Sequence, residues 1–168
     1  MKRGLLSYGY IENNGIQLFE LTKANGLEGI VAKRKGSRYW FGKRSKDWIK
    51  CKVLNSEDYV LCGYILKDKN MTSFILGLYD SSGHLHYKGH VTLGASLRKL
   101  NSYIYAITST PPFNYTPPGN EDAVWLVPKL VCVVETMPSE RSDFRQPVCK
   151  AIRDDKLAKE CIIKKPQA

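Results

Sequence analysis

Lys50 and Lys52 stand two residues apart in the run Trp48-Ile49-Lys50-Cys51-Lys52. Alternate side chains of an extended strand share a face, so the two ammonium groups project together beside the Trp48 indole. Ile49, Cys51 and Val53 fall on the opposite face, which is apolar and can pack. Two lysines this close repel one another unless a polyanion lies between them, and phosphate is the natural occupant. Upstream, Glu28–Arg34 reads as a partner strand, with Ile30 and Ala32 alternating against Gly29, Val31 and Lys33. The loop between the strands carries Lys35, Arg38, Lys43, Arg44 and Lys46, with Tyr39, Trp40 and Phe41 among them. Basic residues interleaved with aromatics point to a polyanionic partner, most simply nucleic acid.

Other chemistry is thinly represented. His84, His86 and His90 share parity on one predicted strand, so all three are expected on one side. Such a row spreads too far for one tetrahedral ion and has no fourth ligand nearby, which leaves a polar barrel face as the expectation. The five cysteines form no Cys-x-x-Cys pair, and Cys51, Cys62 and Cys132 lie in apolar runs, as free thiols do in a reducing cytoplasm. No Ser/His/Asp or Cys/His set has supporting context, and the glycines form neither a dinucleotide nor a P-loop pattern.

The elements that position these residues fall into two parts. The chain has 168 residues and is 43% apolar and 25% charged, which excludes a disordered chain and allows one ordinary domain or two small ones. No apolar run reaches membrane-span length, and the N-terminus lacks the apolar core of a signal peptide. The net charge of +10 is uneven: residues 1–52 carry 12 Lys/Arg against 4 Asp/Glu, the remainder 14 against 12. Residues 15–25 predict a short helix opened at Gly15 and stopped at Gly26. Asn55-Ser56-Glu57 reads as a hinge where the charge balance changes, giving a first part over 1–54 and a second over 55–168. In the second part, strands are predicted at Tyr59–Leu66, Ser73–Tyr79 and Leu85–Leu93, then a helix at Leu97–Ile107 and a Pro-rich loop over 108–120. A fourth strand covers Val124–Val127 and Leu130–Thr136, bent at Pro128. Gln146–Arg153 is a fifth, and a short helix closes near Lys156–Cys161. The expected fold is therefore mostly β (α+β), and this order of strands around one helix is that of an OB-fold barrel.

Three stretches carry a family resemblance: Glu28-Gly29-Ile30-Val31-Ala32-Lys33, then Trp48-Ile49-Lys50-Cys51-Lys52, then Arg145-Gln146-Pro147 with Arg153-Asp154-Asp155-Lys156. In order and spacing they resemble signatures of the ATP-dependent DNA ligases, the nearest subgroup being the ligase module of bacterial end-joining enzymes of the ligase D type. The resemblance covers nearly the whole chain. It implies that residues 1–54 end a nucleotidyltransferase (adenylation) domain, incomplete here, and that 55–168 form its OB-fold domain. It implies a reaction in which a lysine attacks the α-phosphate of ATP, the AMP passes to a 5′-phosphate at a DNA nick, and the 3′-hydroxyl displaces it. Mg²⁺ and fixed cations would carry the charge. Glu28 would hold the metal or position the nucleotide, Lys50 and Lys52 would contact the α-phosphate, and Lys33 joins them in the nucleotide set. Arg153 and Lys156 would orient the β- and γ-phosphates as the OB domain closes, with Asp155 orienting Arg153. The basic stretch from Lys33 through Lys35, Arg38, Lys43, Arg44 and Lys46 would face DNA backbone.

The departures are as specific as the matches. The family's nucleophile lies in a Lys-x-Asp-Gly motif, and none occurs here. The upstream acidic and aromatic pocket signatures are also missing. Met1 falls roughly where the last helix of the adenylation domain is expected, so the chain reads as an excised piece, a truncated gene or one half of a split enzyme. Alone, it is expected not to form lysyl–AMP. Cys149-Lys150-Ala151-Ile152 stands where the family usually has an aromatic and a glycine before the arginine. Two rival readings stay open: a DNA-gripping OB module, or a related nucleotidyltransferase such as an RNA ligase or capping-type enzyme. Expected partners are nicked or broken duplex DNA, a separate adenylation half or other end-joining proteins, and a second copy through an exposed sheet edge. The expected location is the cytoplasm of a bacterium, at the nucleoid, with no membrane association.

Overall fold

The strand alternation around Lys50 and Lys52 is realised as an antiparallel pair, β1 (Gly29–Lys33) and β2 (Trp48–Lys52), preceded by helix α1 (Gly15–Ala24). The computed structural model describes residues 10–68, 71–93, 107–139, 144–153 and 155–164. They belong to two compact units, one ending at Val53 and one beginning at Leu54. In the first, α1 stops just before Gly26, and the Leu27 N–H returns to the Thr22 carbonyl at 3.0 Å. The apolar face of β2 is only partly covered. Val53 is buried, but Ile49 is 58% exposed, so the packing expected of that face is not made within the described residues.

The second unit is built on β3 (Asn55–Asp68), which is longer than its apolar run because the predicted hinge is part of it. Asn55, Ser56 and Glu57 pair with Thr136, Glu135 and Val134 of β8 (Val131–Thr136). Polar residues on a strand end look like a linker when their ladder partners lie far along the chain. The run Tyr59-Val60-Leu61-Cys62 is apolar at every position because both faces are buried. Tyr59 and Leu61 join one core cluster with Phe74, Leu76 and Val91, while Val60 and Cys62 join a second with Ile75, Trp125 and Val131.

β3 pairs with β4 (Met71–Tyr79), and β4 with β5 (Leu85–Leu93), all antiparallel. On its other edge β3 meets two strands in succession: β8 along Asn55–Val60, and β7 (Val124–Leu126) at Gly63 and Tyr64. The predicted bent fourth strand is thus two strands, parted around Pro128 and following the same neighbour. A short β6 (Ile107–Thr108) adds to β7, and β9 (Val148–Arg153) adds to β8. The five long strands have the OB-fold order, mostly β as expected, but among the described residues no ladder between β5 and β9 closes the barrel. Phe144 fills in there: a Cβ at Gly89 would come within 2.9 Å of its ring, and the ring meets Tyr59 edge-on at 5.0 Å.

The Pro-rich segment is a loop pinned by Asn120, which is 1% exposed. Asn120 Nδ2 donates to the Pro117 and Pro118 carbonyls at 3.0 and 3.2 Å. Its Oδ1 therefore accepts from His90 Nε2, 2.7 Å away. The predicted helix at Leu97–Ile107 lies outside the described residues except for Ile107, which is in β6. The chain's last described stretch has a 3-10 turn, Ala158–Glu160, and is stitched to the end of β4. Tyr79 N–H donates to the Cys161 carbonyl and Ile163 N–H to that of Tyr79, both at 2.8 Å. Among the described residues no helix is long and apolar enough to cross a membrane.

Candidate phosphate-binding site

Register decides which lysines meet. Gly29 lies opposite Lys52, Val31 opposite Lys50 and Lys33 opposite Trp48. Directly opposed residues of an antiparallel pair point to the same side, so Lys33, Lys50, Lys52 and Trp48 share one face. Glu28 is held at the open end of this hairpin, its carbonyl accepting the Val53 N–H at 2.8 Å. Gly29 makes that closure possible. Its φ is +140°, and a Cβ there would overlap the Cys51 carbonyl oxygen. Lys33 Nζ sits 4.2 Å from the Trp48 ring centroid, a cation–π contact. The face presents ammonium groups, a donor set suited to a polyphosphate.

The loop from Arg34 to Asp47 closes at its base through Arg34 N–H to the Asp47 carbonyl at 2.8 Å and an ion pair between their side chains at 3.3 Å. Lys35 is engaged by Glu12 at 3.1 Å. Arg38, Lys43, Arg44 and Lys46 are exposed and make no ion pair among the described residues. Trp48 organises the loop's interior: its Nε1 donates to Ser37 Oγ at 3.1 Å, and the Tyr39 ring lies 5.3 Å from it.

Arg153 and Lys156 belong to the second unit. Arg153 ends β9 opposite Val131, and Lys156 follows in the segment tied to β4. Both converge on one carboxylate that sequence reasoning missed, Asp58 of β3. Lys156 Nζ donates to Asp58 Oδ2 at 2.7 Å, and Arg153 reaches the same oxygen at 3.4 Å. Asp155 grips Arg153 by two bonds, Nε to Oδ1 at 3.0 Å and Nη2 to Oδ2 at 2.8 Å. These bonds raise the Lys156 ammonium, mainly through Asp58, and the Arg153 guanidinium, mainly through Asp155. The Arg153 contact in turn lowers the Asp155 carboxyl. In this arrangement both cations are matched by carboxylates.

The histidine row does not keep one side. Gly89 pairs with Leu76 and Tyr87 with Gly77, so Lys88 is an extra residue that reverses the alternation. His86 turns to Asp80, 2.7 Å away, and His90 to Asn120 and the Tyr87 ring. His84 precedes the strand altogether. Among the described residues, no group of three or more His, Cys, Asp or Glu side chains is placed to hold a metal ion. Glu28 would supply a single oxygen ligand, which suits Mg²⁺ that takes one or two carboxylates and completes its shell with phosphates and water. All five cysteines are free, and Cys132 and Cys149 approach to 2.9 Å between sulfurs.

Comparison with known proteins identifies the family of the chain. Residues 67–156 match the family described as the ATP dependent DNA ligase C terminal region. The multifunctional non-homologous end joining protein LigD of Pseudomonas aeruginosa is 34% identical over 154 residues, covering 84% of this chain but 18% of that protein. The ligase domain of Mycobacterium tuberculosis LigD superposes with a TM-score of 0.58 at 28% identity, over 89% of this chain and 52% of that domain. A mycobacterial DNA ligase D complexed with ATP and MES gives the same TM-score, 0.58, at 28% identity, over 89% of this chain and 51% of that one. The chain thus spans about half of the solved ligase structures it matches and about a fifth of the whole end-joining protein. With more than half of its residues inside the family match, the chain belongs to the ATP-dependent DNA ligases, as their C-terminal region.

Proposed function

We propose that this chain is the phosphate-handling, C-terminal portion of a ligase that seals nicks or joins ends in duplex DNA, and that the lysine which takes AMP from ATP lies outside it. Residues 1–54 then end an adenylation domain and 55–168 form the OB-fold domain. Lys50 and Lys52, with Lys33, hold the α-phosphate of ATP or of the adenylate. Glu28 is one oxygen ligand to Mg²⁺, which would supply charge neutralisation at the phosphates. Arg153 and Lys156 orient the β- and γ-phosphates once Asp58 releases them. Lys35, Arg38, Lys43, Arg44 and Lys46 hold the DNA backbone in a bacterial cytoplasm. The observation that carries this reading is the hairpin register, which gathers Lys33, Lys50 and Lys52 on one face.

The test is incubation of the purified chain with α-labelled ATP and Mg²⁺, followed by denaturing gel electrophoresis. The expected result is no covalent label, together with gel-shift binding of nicked duplex DNA. Label retained on the chain would place a nucleophile within these residues and overturn the proposal. A second reading, a DNA-gripping module without nucleotide chemistry, is favoured by one observation: Arg153 and Lys156 are already neutralised by Asp58 and Asp155. Nick binding indifferent to ATP and Mg²⁺ supports that reading.

A further inference from the structure

The basic loop displays an aromatic side chain that phosphate binding does not use. Phe41 is 91% exposed, and Trp40 beside it 53%. Lys43 N–H donates to the Trp40 carbonyl at 3.2 Å, and Gly42 has φ +68°, so Phe41 occupies the first of the two central positions of a tight turn. The turn is held from below. Tyr39 packs on Trp48, Trp48 bonds Ser37, and Arg34 with Asp47 closes the loop's base. Such anchoring projects the Phe41 ring into solvent in place of letting it collapse onto the hairpin. The same loop carries Arg38, Lys43, Arg44 and Lys46, all exposed and without ion pairs among the described residues.

A flat, exposed apolar ring on a loop that also carries four exposed cations is complementary to a ligand with flat apolar faces and anionic flanks. An unpaired or terminal nucleobase with its neighbouring phosphates has that chemistry. The bases inside an intact duplex do not, because their faces are already stacked. We infer that Phe41, supported by Trp40, is a stacking site for a nucleobase exposed at a DNA nick or end, with the four cations on the flanking phosphates. This inference rests on the DNA reading above and deepens it: the loop would distinguish interrupted from continuous duplex.

The experiment measures affinity of the whole chain, at one salt concentration, for an intact duplex, a nicked duplex and a duplex with a single-stranded overhang. The last two carry 2-aminopurine at the exposed base. Wild type is expected to quench the 2-aminopurine fluorescence. Phe41→Ala is expected to abolish the quenching and weaken nicked and overhang binding about fivefold or more, the low end of base–aromatic stacking. It should leave intact-duplex binding within about twofold. Phe41→Trp should restore both signals, and Arg44→Ala should weaken all three probes alike. Equal losses on all three probes with Phe41→Ala, or quenching that survives it, would overturn the stacking site while leaving DNA binding intact. Failure of wild type to bind any of the DNAs would instead remove the DNA reading and the stacking site with it. Circular dichroism of each variant separates these outcomes from misfolding.

Discussion

Asp80 closes the turn between β4 and β5 by accepting from the backbone N–H groups of Ser82 and His84 at 2.8 and 2.9 Å and pairing with the His86 ring at 2.7 Å. His86 first, then the backbone donors, hold its carboxyl down at about 2, below the ordinary 3.8. A carboxyl depressed on folding adds stability above its unfolded value and loses it as pH falls through the folded one. The stability gap between wild type and Asp80→Asn is therefore expected to be level above about pH 5. It should shrink between pH 3.8 and about 2. Denaturant titrations across that range check it, and a gap that does not change with pH would assign the turn's stability to something other than the charge. Residues of this kind mark the limit of what the sequence discloses at a site. Lys33, Lys50 and Lys52 were legible because alternation alone puts each on a face, and the register needed only a hairpin between them. Asp58 was not, because its partners Arg153 and Lys156 lie 95 and 98 residues away and no local pattern links them. The histidine row misled for a related reason: one inserted residue, Lys88, reverses an alternation that the sequence shows as unbroken.

Among the elements, β3 bears the most, with β4 on one edge and β7 and β8 on the other. Within β3, Gly63 is the crowded glycine. A Cβ there would sit 2.8 Å from the Val124 carbonyl oxygen and 3.1 Å from the Trp125 ring. Neither has room to retreat, since Trp125 is wedged edge-on against Phe113 at 5.9 Å. Gly63→Ala is expected to cost about 1–3 kcal/mol, the usual range for overpacking, by prising β7 from β3. Urea denaturation measures the loss, and faster amide exchange confined to Val124–Leu126 would locate it. The same change at Gly15, where a Cβ meets nothing within 4 Å, should be neutral or slightly stabilising. The strands themselves were readable from apolar runs and turn signals: β4 and β5 lie where Ser73–Tyr79 and Leu85–Leu93 predicted them. Their edges were not, because Asn55, Ser56 and Glu57 owe their extended shape to β8 and not to their own chemistry. The break of the fourth strand into β7 and β8 was signalled by Pro128, which cannot donate to a ladder.

At the scale of the whole chain, the charge balance is +8 over residues 1–52 and +2 over the rest. In the second unit Arg153, Lys156, Lys150 and Lys164 are each met by a carboxylate: Asp155 and Asp58, Asp58, Glu135, and Glu57. Among the described residues, only Arg34 and Lys35 of the basic loop are met in this way, by Asp47 and Glu12, leaving Arg38, Lys43, Arg44 and Lys46 for a partner. Binding to a phosphate chain releases condensed counterions, and each protein cation that replaces one adds roughly 0.9 to the slope of log affinity against log salt on duplex DNA. Replacing Lys43 and Arg44 together by alanine is therefore expected to flatten that slope by about 2 and to weaken binding at low salt most. Replacing Lys150 and Lys164 should leave the slope unchanged, because their charge is already matched within the fold. Fluorescence anisotropy with nicked duplex over a salt series gives both slopes. If the two double variants flatten the slope equally, DNA contacts both units, and the paired cations of the OB-fold unit exchange their carboxylates for phosphate. If only the first does, the basic loop is the grip on DNA, and the pairing seen at Glu135 and Glu57 persists in the bound state.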